Sequence, residues 1–563
     1  MEKKLNNFIV YRFGIVMCII MAIGMLFGSR YTEAKKPPKK YSLVQKGMVT
    51  GIKDQGGSGS CWAFAAIKSA ESNAIMNGLT TKSSADFSES HLIWYAYHAT
   101  LDVDSTIYGD GIYDEAFNNS GDALYNVLRY GKSSSVFKTS SEPTVKQYIK
   151  GIATLPAVET EAPTVTETPV PIVTATPVPT STSSVATGGS SINDRKVNTN
   201  GYSYKSTTTA YMGGGTAAMA ISVFANWSGV ANESNYMYKS DTVRNLIETA
   251  KSMCKLGETA RYDSVAHLQN ANCYDLATVK QLKRDIMQKG AADLSIYYND
   301  SYLKKDGKYR SYYQTKYMKK NATKYANHCV TVVGWNDNYS KNKFKHKPKK
   351  NGAWLIANSY GTSSGNNGYF WLSYYDRSIT DVYIFEVEPT DNYNNIYQYD
   401  GCGFYDYVAF NNRTIYASNV FKANAQAENL SAVSLYTLTE KQKVKISVYK
   451  GVNGNTPDSG TLVSESEITT TIAHAGYHTI VLPTSVYLSP SEKFSVVVTY
   501  YKNGKGRKTY VPFEGEGFDG ESARFLFASN EGESFVKYKN QWLDAKDERL
   551  NSAPIKVFTN NVF

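Results

Sequence analysis

The chain has 563 residues, which is too long for one compact core, so two or more domains are expected. Apolar residues make up 42% and charged residues 20%, an ordinary balance that excludes a fully disordered chain. The net charge of +11 is spread out, and its densest run, Lys341 to Lys350, is typical of a solvated loop. We therefore expect no nucleic-acid partner, with attraction to anionic cell-wall polymers as the alternative role of this run.

The N-terminus predicts a secretory signal. Basic residues precede an apolar run from Phe13 to Phe27, and Ala34 ends a stretch that resembles a cleavage site. This run is shorter than a membrane span, which needs about 20 residues. We expect residues 1–34 to be a signal peptide, or alternatively an uncleaved anchor, and the protein to be secreted or associated with the cell surface.

The cysteine count favours free thiols over a disulfide framework. Five cysteines remain after residues 1–34 are set aside, which is sparse and odd in number for a secreted protein. They are Cys61, Cys254, Cys273, Cys329 and Cys402. Cys254 and Cys273 could pair, but no spacing rule requires it. No clustered Cys/His pattern indicates zinc, so we expect neither a metal nor a cofactor.

Helices are predicted in the first half of the chain. Apolar residues recur at helical spacing from Ser60 to Gly78, with Ser60 as the candidate N-cap and Gly78 as the stop. Residues 213–227 and 240–255 predict two further helices. Between these patterns, Val158 to Ser191 is rich in Pro, Thr and Ser and predicts a disordered linker. We interpret this linker as part of an insertion into one domain, over about residues 139–200.

Strands dominate from Leu294 onward. Short apolar segments near residues 294–298, 329–335, 353–359 and 369–375 predict strands, which together with the earlier helices indicate an α+β domain. After about residue 392 the pattern is one of alternating strands and turns. This second pattern predicts an all-β sandwich or jelly roll.

The segment "DQGGSGSCWAF" places Cys61 where a helix should begin. A helix N-terminus and a nearby imidazolium both lower the pKa of a thiol, which makes a thiolate nucleophile. His328, at the start of a predicted strand, is the candidate base, and Asn358, at the end of another, is the candidate orienter of that base. The Gln55 side chain and the Cys61 backbone N–H are candidate donors to a developing oxyanion.

These blocks resemble the papain-like cysteine peptidases. In that family Gln and then Gly-Ser-Cys-Trp open the central helix, and His and Asn follow on later strands. The resemblance covers about residues 48–385 and rests on three ordered blocks, "QGGSGSCWAF" (55–64), "NHCVTVVGW" (327–335) and "WLIANSYGTSSGNNGYFWL" (354–372). The segments "DFSESHL" (86–92) and "GAADLSIY" (290–297) add to it.

The resemblance implies a two-lobed fold, with a helical lobe and a β-barrel-like lobe, and a set of catalytic roles. Cys61 would attack the peptide carbonyl, His328 would act as base and then acid, and Asn358 would orient the His328 ring. Gln55 and the Cys61 N–H would stabilise the oxyanion. Gly213, Gly214 and Gly215 would form a backbone platform that binds substrate, or alternatively a turn that enters a helix.

Three positions depart from the family pattern. Ser58 stands where the family has the first cysteine of Cys-Gly-Ser-Cys, so the disulfide that it would make is absent. Cys329 follows the histidine where Ala is usual, and we expect an inert, buried thiol. Tyr360 replaces the Trp that follows the Asn, so weaker shielding of the His–Asn hydrogen bond is expected.

The segment "NWSGVANESNYMY" (226–238) resembles a block of bacterial secreted members that carry a lectin-like β domain after the peptidase. The predicted organisation is therefore a signal or anchor over 1–34, a papain-like domain over 35–391 and a lectin-like β-sandwich over 392–563. No sugar-binding motif is evident, so glycans or cell-wall polymers are expected as its ligands only by analogy.

The resulting hypothesis is a secreted or surface-associated cysteine endopeptidase that cleaves proteins or peptides through a thioester acyl-enzyme. Two alternatives stay open. One is a binding or adhesion protein built on an inactive peptidase fold, and the other is a murein peptidase that uses a Cys-His pair. The presence of all four candidate residues, Gln55, Cys61, His328 and Asn358, argues against the first alternative. The Gln-to-Cys spacing argues against the second.

Overall fold

A computed structural model describes most of the chain outside its N-terminus and the central insertion. The described residues are 36–97, 111–114, 211, 214–240, 256, 258–274, 279–306, 309–313, 326–380, 382–401, 406–411, 413–502, 508–514, 517–519, 523–526, 530–538, 540–545, 550 and 552–562. The predicted signal (1–34), the predicted insertion (139–200) and nearly all of the helix predicted over 240–255 lie outside them.

The described helices belong to the first part of the chain. They are α1 (Cys61–Met76), α2 (Glu89–Tyr97), α3 (Ala217–Ala225), α4 (Glu258–Arg261) and α5 (Val279–Lys289). α1 begins directly after Ser60 and ends before Gly78, whose φ of +74° suits a glycine at a helix C-terminus. Ser60 is the N-cap residue of α1, as predicted, although its hydroxyl bonds to Ser58 and Tyr238 and not to the first turn of the helix.

Strands supply the rest of the first part. They are β1 (Lys40–Ser42), β2 (Gly111–Asp114), β3 (His267–Cys273), β4 (Ala292–Ile296), β5 (Leu303–Asp306), β6 (Tyr309–Tyr312), β7 (His328–Asn336), β8 (Ala353–Ala357), β9 (Tyr369–Ser373) and β10 (Val382–Glu388). The four strands predicted from Leu294 onward correspond to β4, β7, β8 and β9. α1 packs on β4, β7 and β10, so the central helix lies against the middle of the sheet.

The C-terminal part is built from strands. They are β11 (Asn395–Tyr397), β12 (Asp406–Asn411), β13 (Ile415–Lys422), β14 (Glu428–Thr437), β15 (Gln442–Lys450), β16 (Thr461–Leu462), β17 (Ile468–Ile472), β18 (Ala475–Leu488), β19 (Lys493–Tyr500), β20 (Lys508–Phe513), β21 (Gly517–Asp519), β22 (Ala523–Leu526), β23 (Ser534–Tyr538), β24 (Gln541–Asp544) and β25 (Lys556–Asn561). The core under them consists mainly of Val, Ile, Leu, Phe and Tyr side chains. The expectation of an all-β C-terminal domain is confirmed.

One sheet of 13 strands runs through both parts in the order β11-β25-β14-β18-β3-β10-β4-β7-β8-β9-β6-β5, with β1 paired to β7. A second sheet of seven strands has the order β16-β15-β19-β13-β23-β24, with β17 paired to β15. β12 and β20 form a pair, and β2, β22 and β21 form a small sheet. The large sheet crosses the predicted domain boundary through β18 and β3, where Tyr477 pairs with Ala271.

Buried polar contacts join the two parts. The Lys556 ammonium on β25 has no exposed surface and donates to the Asp400 carboxylate at 2.6 Å and to Asn226 Oδ1 at 2.7 Å. Trp227 stacks on His267 with ring centroids 4.2 Å apart and also faces Phe558. No helix in the described ranges is long and apolar enough to cross a membrane.

Candidate active site

The topology brings the candidate base and its orienter to the same edge of the sheet. β7 begins at His328, β8 ends at Ala357, and the two strands are antiparallel neighbours. His328 and Asn358 therefore meet although 30 residues separate them. α1 packs across β7 and starts at Cys61, which presents its sulfur to the beginning of that strand.

The hydrogen bond between His328 and Asn358 fixes the orientation of the imidazole ring and the nitrogen that faces the amide. His328 Nε2 lies 2.7 Å from Asn358 Oδ1, and both side chains are buried. An amide oxygen only accepts, so Nε2 carries the hydrogen of this bond. The Ser359 backbone N–H also donates to Asn358 Oδ1, at 3.0 Å, which holds the amide in this orientation. Nδ1 is therefore left to exchange a proton with Cys61.

The surroundings of Cys61 stabilise a thiolate. Its pKa lies well below the usual range, first because the Cys329 thiol donates to its sulfur and then because His328 does so and carries charge. Burial of the sulfur opposes this shift. The Cys329 backbone N–H adds a further donor, 3.4 Å from Cys61 Sγ. Cys61 as a whole residue is half-buried.

Cys329 contacts Cys61, and the sequence analysis did not predict this contact. The prediction of a buried thiol is confirmed, since Cys329 is 7% exposed, and the prediction that it is inert stays a prediction. The pKa of Cys329 is raised well above its usual range, chiefly by its hydrogen bond to Cys61. Cys329 therefore keeps its proton and donates it as a hydrogen bond. Its position directly after His328, on the strand that faces α1, was the available signal.

Two tyrosines border the His328 ring. Tyr360 stacks on it with ring centroids 4.8 Å apart and planes 24° apart, and its hydroxyl lies 3.4 Å from Nδ1. Tyr298 approaches the ring edge-on at 5.6 Å. The expected loss of shielding at the Trp-to-Tyr departure is therefore offset, because the Tyr360 ring covers the imidazole. Burial raises the pKa of Tyr360 above its usual range, so its hydroxyl stays protonated.

Gln55 lies in a loop that is tied to the end of β8. The Gln55 backbone N–H donates to Ser359 O at 2.8 Å, and the Ser359 hydroxyl donates to Gln55 Oε1. Gln55 Nε2 donates one hydrogen to Ser58 O at 2.7 Å, which leaves its second hydrogen for a ligand. Helix geometry also leaves the Cys61 N–H without an intrahelical acceptor. The arrangement thus offers the two donors that the sequence analysis predicts.

The three predicted platform glycines have different outcomes. Gly213 lies outside the described residues. Gly214 and Gly215 both have positive φ, of +77° and +151°. A Cβ at Gly215 would lie 2.4 Å from the Trp62 indole, and α3 starts two residues later. Close packing on Trp62 and entry into α3 thus account for Gly215, and the substrate platform stays a prediction.

The remaining residues of interest are the other cysteines, any metal-binding cluster and Trp62. Cys273 is buried and forms no disulfide within the described part, while Cys254 and Cys402 lie outside that part. No group of three or more His, Cys, Asp or Glu side chains in the described ranges is arranged to hold a metal ion. Trp62 is fully buried in the core between α1 and α3, as expected of a packing residue.

Comparisons with known proteins agree with this geometry. The family model described as papain family cysteine protease matches residues 37–100 and 205–385, and that of the lectin like domain matches residues 396–559. The cysteine proteinase EP-B 1 of Hordeum vulgare is 35% identical over 131 residues, 22% of this chain and 33% of that protein. The cysteine protease Amb a 11.0101 of Ambrosia artemisiifolia is 45% identical over 64 residues, 11% and 16% of the two chains. The chain thus spans about a third or less of the length of these relatives.

Two solved structures of Cwp84 share the fold over nearly the whole chain. One, of the clostridial cysteine protease after propeptide cleavage, gives a TM-score of 0.62 at 21% identity and covers 93% of this chain and 99% of that one. The other comprises the cysteine protease and lectin-like domains of Cwp84, described as a surface layer associated protein of Clostridium difficile. It gives the same TM-score and identity, with 94% and 90% covered. At this identity the likeness shows the fold alone. The chain carries a cysteine protease domain of the papain family, followed by a lectin-like domain.

Proposed function

We propose that the protein is a cysteine endopeptidase that hydrolyses peptide bonds with Cys61, His328 and Asn358. The observation that carries this proposal is the convergence of three side chains from α1, β7 and the end of β8. Cys61 Sγ accepts from the Cys329 backbone N–H at 3.4 Å, and His328 Nε2 lies 2.7 Å from Asn358 Oδ1. A polarised thiol, a base and an orienter of that base are the parts that nucleophilic acyl transfer requires.

The mechanism follows from these contacts. His328 Nδ1 takes the Cys61 proton, and the thiolate attacks the scissile carbonyl carbon to form a tetrahedral intermediate. Gln55 Nε2 and the Cys61 backbone N–H donate to the oxyanion. His328 then gives its proton to the leaving amine, which breaks the C–N bond and leaves a thioester. Water, deprotonated by His328, hydrolyses the thioester and restores the thiolate. Asn358 holds the imidazole in one tautomer throughout.

Hydrolysis of an unfolded protein substrate tests this proposal. Cys61→Ala should abolish turnover, and His328→Ala should nearly abolish it, because each removes an essential group. Gln55→Ala should lower kcat on the order of 10²-fold, the usual cost of one oxyanion donor. The matched control is Cys273→Ala, which removes a buried thiol at the end of β3 and should keep wild-type turnover. Full activity in Cys61→Ala would refute the assignment.

The same measurements separate the alternatives. An inactive binding protein would hydrolyse no substrate even when reduced, although Cys61, His328 and Asn358 are in place. A murein peptidase would release muropeptides from purified cell walls and leave protein substrates intact. The buried His328–Asn358 bond and the Gln55 loop favour the protein-cleaving endopeptidase.

For the lectin-like domain we propose a role in holding the enzyme near glycans or cell-wall polymers, outside the cell. A cavity of about 280 Å³ in this domain is lined by aromatic and cationic side chains, among them Phe410, Arg413, Tyr416 and Lys537. Aromatic faces bind sugar rings, and cationic groups bind anionic polymers. Co-sedimentation of Cys61→Ala protein with purified cell-wall polysaccharide tests this role, and no binding at low salt would contradict it.

A further inference from the structure

The loop before α1 carries the Gln55 amide and leads directly into Cys61, so its conformation decides whether both candidate oxyanion donors point at the substrate. Inside the loop, Gln55 Nε2 donates to Ser58 O and the Ser58 hydroxyl donates to Gln55 O at 2.9 Å. These bonds span only three residues. Ser58 stands where the resemblance leads one to expect a disulfide-forming cysteine. Gln55 is tied to Ser359 beyond the end of β8, and the Gly59 N–H donates to Tyr211 O, but neither contact holds the Ser58 and Ser60 hydroxyls.

Tyr238 contacts these hydroxyls from a distant part of the chain. Its hydroxyl lies 2.6 Å from Ser58 Oγ, 3.0 Å from Ser60 Oγ and 3.0 Å from Gln55 O. One phenol thus reaches both ends and the middle of the loop, although 178 to 183 residues separate it from these partners.

The Tyr238 side chain is itself held in place. Its ring packs edge-on against Phe64 of α1 at 4.9 Å, and the Tyr238 backbone N–H donates to the Glu233 carboxylate. Burial raises the pKa of the phenol, so it stays protonated and donates to Gln55 O. A fixed ring and a protonated hydroxyl make a rigid anchor for the loop.

We propose that Tyr238 is a positioning residue, whose hydroxyl holds the Gln55–Ser60 loop so that the Gln55 amide and the Cys61 N–H point at the oxyanion. This proposal rests on the proposed peptidase function. Tyr238 touches no reacting atom and acts through the loop. The hydrogen-bonded cluster stands in for the covalent tie that Ser58 cannot make.

Tyr238→Phe tests the proposal, because it keeps the ring and removes only the hydroxyl. Ser58 and Gln55 retain their mutual bonds, so folding should be preserved. We expect kcat for peptide hydrolysis to fall about tenfold, less than the loss of a whole oxyanion donor, with KM changed less than twofold. Alkylation of Cys61 by iodoacetamide forms no oxyanion, so its rate should stay within about twofold of wild type.

Two further variants complete the test. Tyr236→Phe is the matched control, because it removes a hydroxyl two residues away that donates to Asp263 outside the loop, at 2.8 Å. It should keep wild-type kcat. Ser58→Ala should resemble Tyr238→Phe, and the double variant should lose less than the product of the single losses, since both act through one contact.

The outcomes are distinguishable. Wild-type kcat in Tyr238→Phe, with wild-type protein active, would overturn the positioning role and leave the proposed function standing. An equal loss of hydrolysis and of iodoacetamide reactivity would also overturn it, because that pattern indicates a general disturbance of Cys61. A wild-type protein that reacts with iodoacetamide but hydrolyses no peptide would refute the proposed function itself.

Discussion

Cys61 Sγ accepts a hydrogen bond from the Cys329 backbone N–H at 3.4 Å, and the Cys329 thiol is the largest cause of the lowered Cys61 pKa. The pKa of Cys61 is lowered and that of Cys329 is raised, because one negative charge disfavours a second one close by. Cys61 is therefore the thiolate of the pair, and Cys329 stays protonated. His328 contributes the remaining stabilisation from the adjacent position on β7. Two successive residues of one strand thus lower the pKa of Cys61.

Removing the Cys329 thiol should make Cys61 a weaker acid. In Cys329→Ala the largest cause of the lowered Cys61 pKa is gone, so the Cys61 pKa should rise. The thiolate is the reactive form, so the acidic limb of kcat/KM should move to higher pH. Cys329→Ser keeps a hydroxyl donor and should restore part of the shift. Superimposable pH profiles for wild type and Cys329→Ala would show that the thiol has no such role.

At the scale of elements, β3 joins the two halves of the large sheet, and its first residue, His267, is buried against Trp227. Burial lowers the pKa of His267 to about 4, despite a hydrogen bond to Asn392. The unfolded chain takes up this proton near the usual pH of about 6.5, and the folded protein does not until about pH 4. Folding therefore loses stability from His267 as the pH falls through this window.

His267→Phe should remove that loss. Relative to wild type, the variant should gain up to about 3 kcal/mol of unfolding free energy between pH 7 and pH 4. Glu388, the cross-strand neighbour on β10, has a pKa raised to about 7 by burial and acts in the opposite sense. The readout is therefore the difference between the two proteins in urea unfolding at each pH. His346→Phe, at an exposed histidine, is the control, and parallel curves for wild type and His267→Phe would contradict the account.

Local sequence was enough to predict the elements that carry the candidate site. Cys61 begins a helix, His328 begins a strand and Asn358 follows one, because apolar periodicity and turn residues mark these ends. Ser60 was predicted correctly as the N-cap residue, but the contact of its hydroxyl with Tyr238 was not predicted, since a rule about neighbouring residues does not register a distant segment. The Cys329 contact was missed for the same reason. Both depend on how distant segments pack.

At the scale of the whole molecule, one segment connects the lectin-like part to the candidate active site. Asn226 contacts Lys556 and Gly401, and Trp227 packs against Phe558, all in the C-terminal half. Twelve residues after Asn226, Tyr238 contacts the loop before Cys61. The sequence analysis predicted two successive domains, but alternation patterns do not reveal which strands pair. The pairing of β18 with β3 therefore emerged only from the three-dimensional structure.

The central claim is that Cys61 is an activated nucleophile. Its most direct test is covalent labelling of the reduced protein at neutral pH with an epoxide that traps thiolates, mapped by peptide mass spectrometry. The account predicts modification confined to Cys61, lost in Cys61→Ala, strongly slowed in His328→Ala and unchanged in Cys273→Ala. An unmodified Cys61, or equal labelling of Cys254, Cys273 and Cys402, would contradict it.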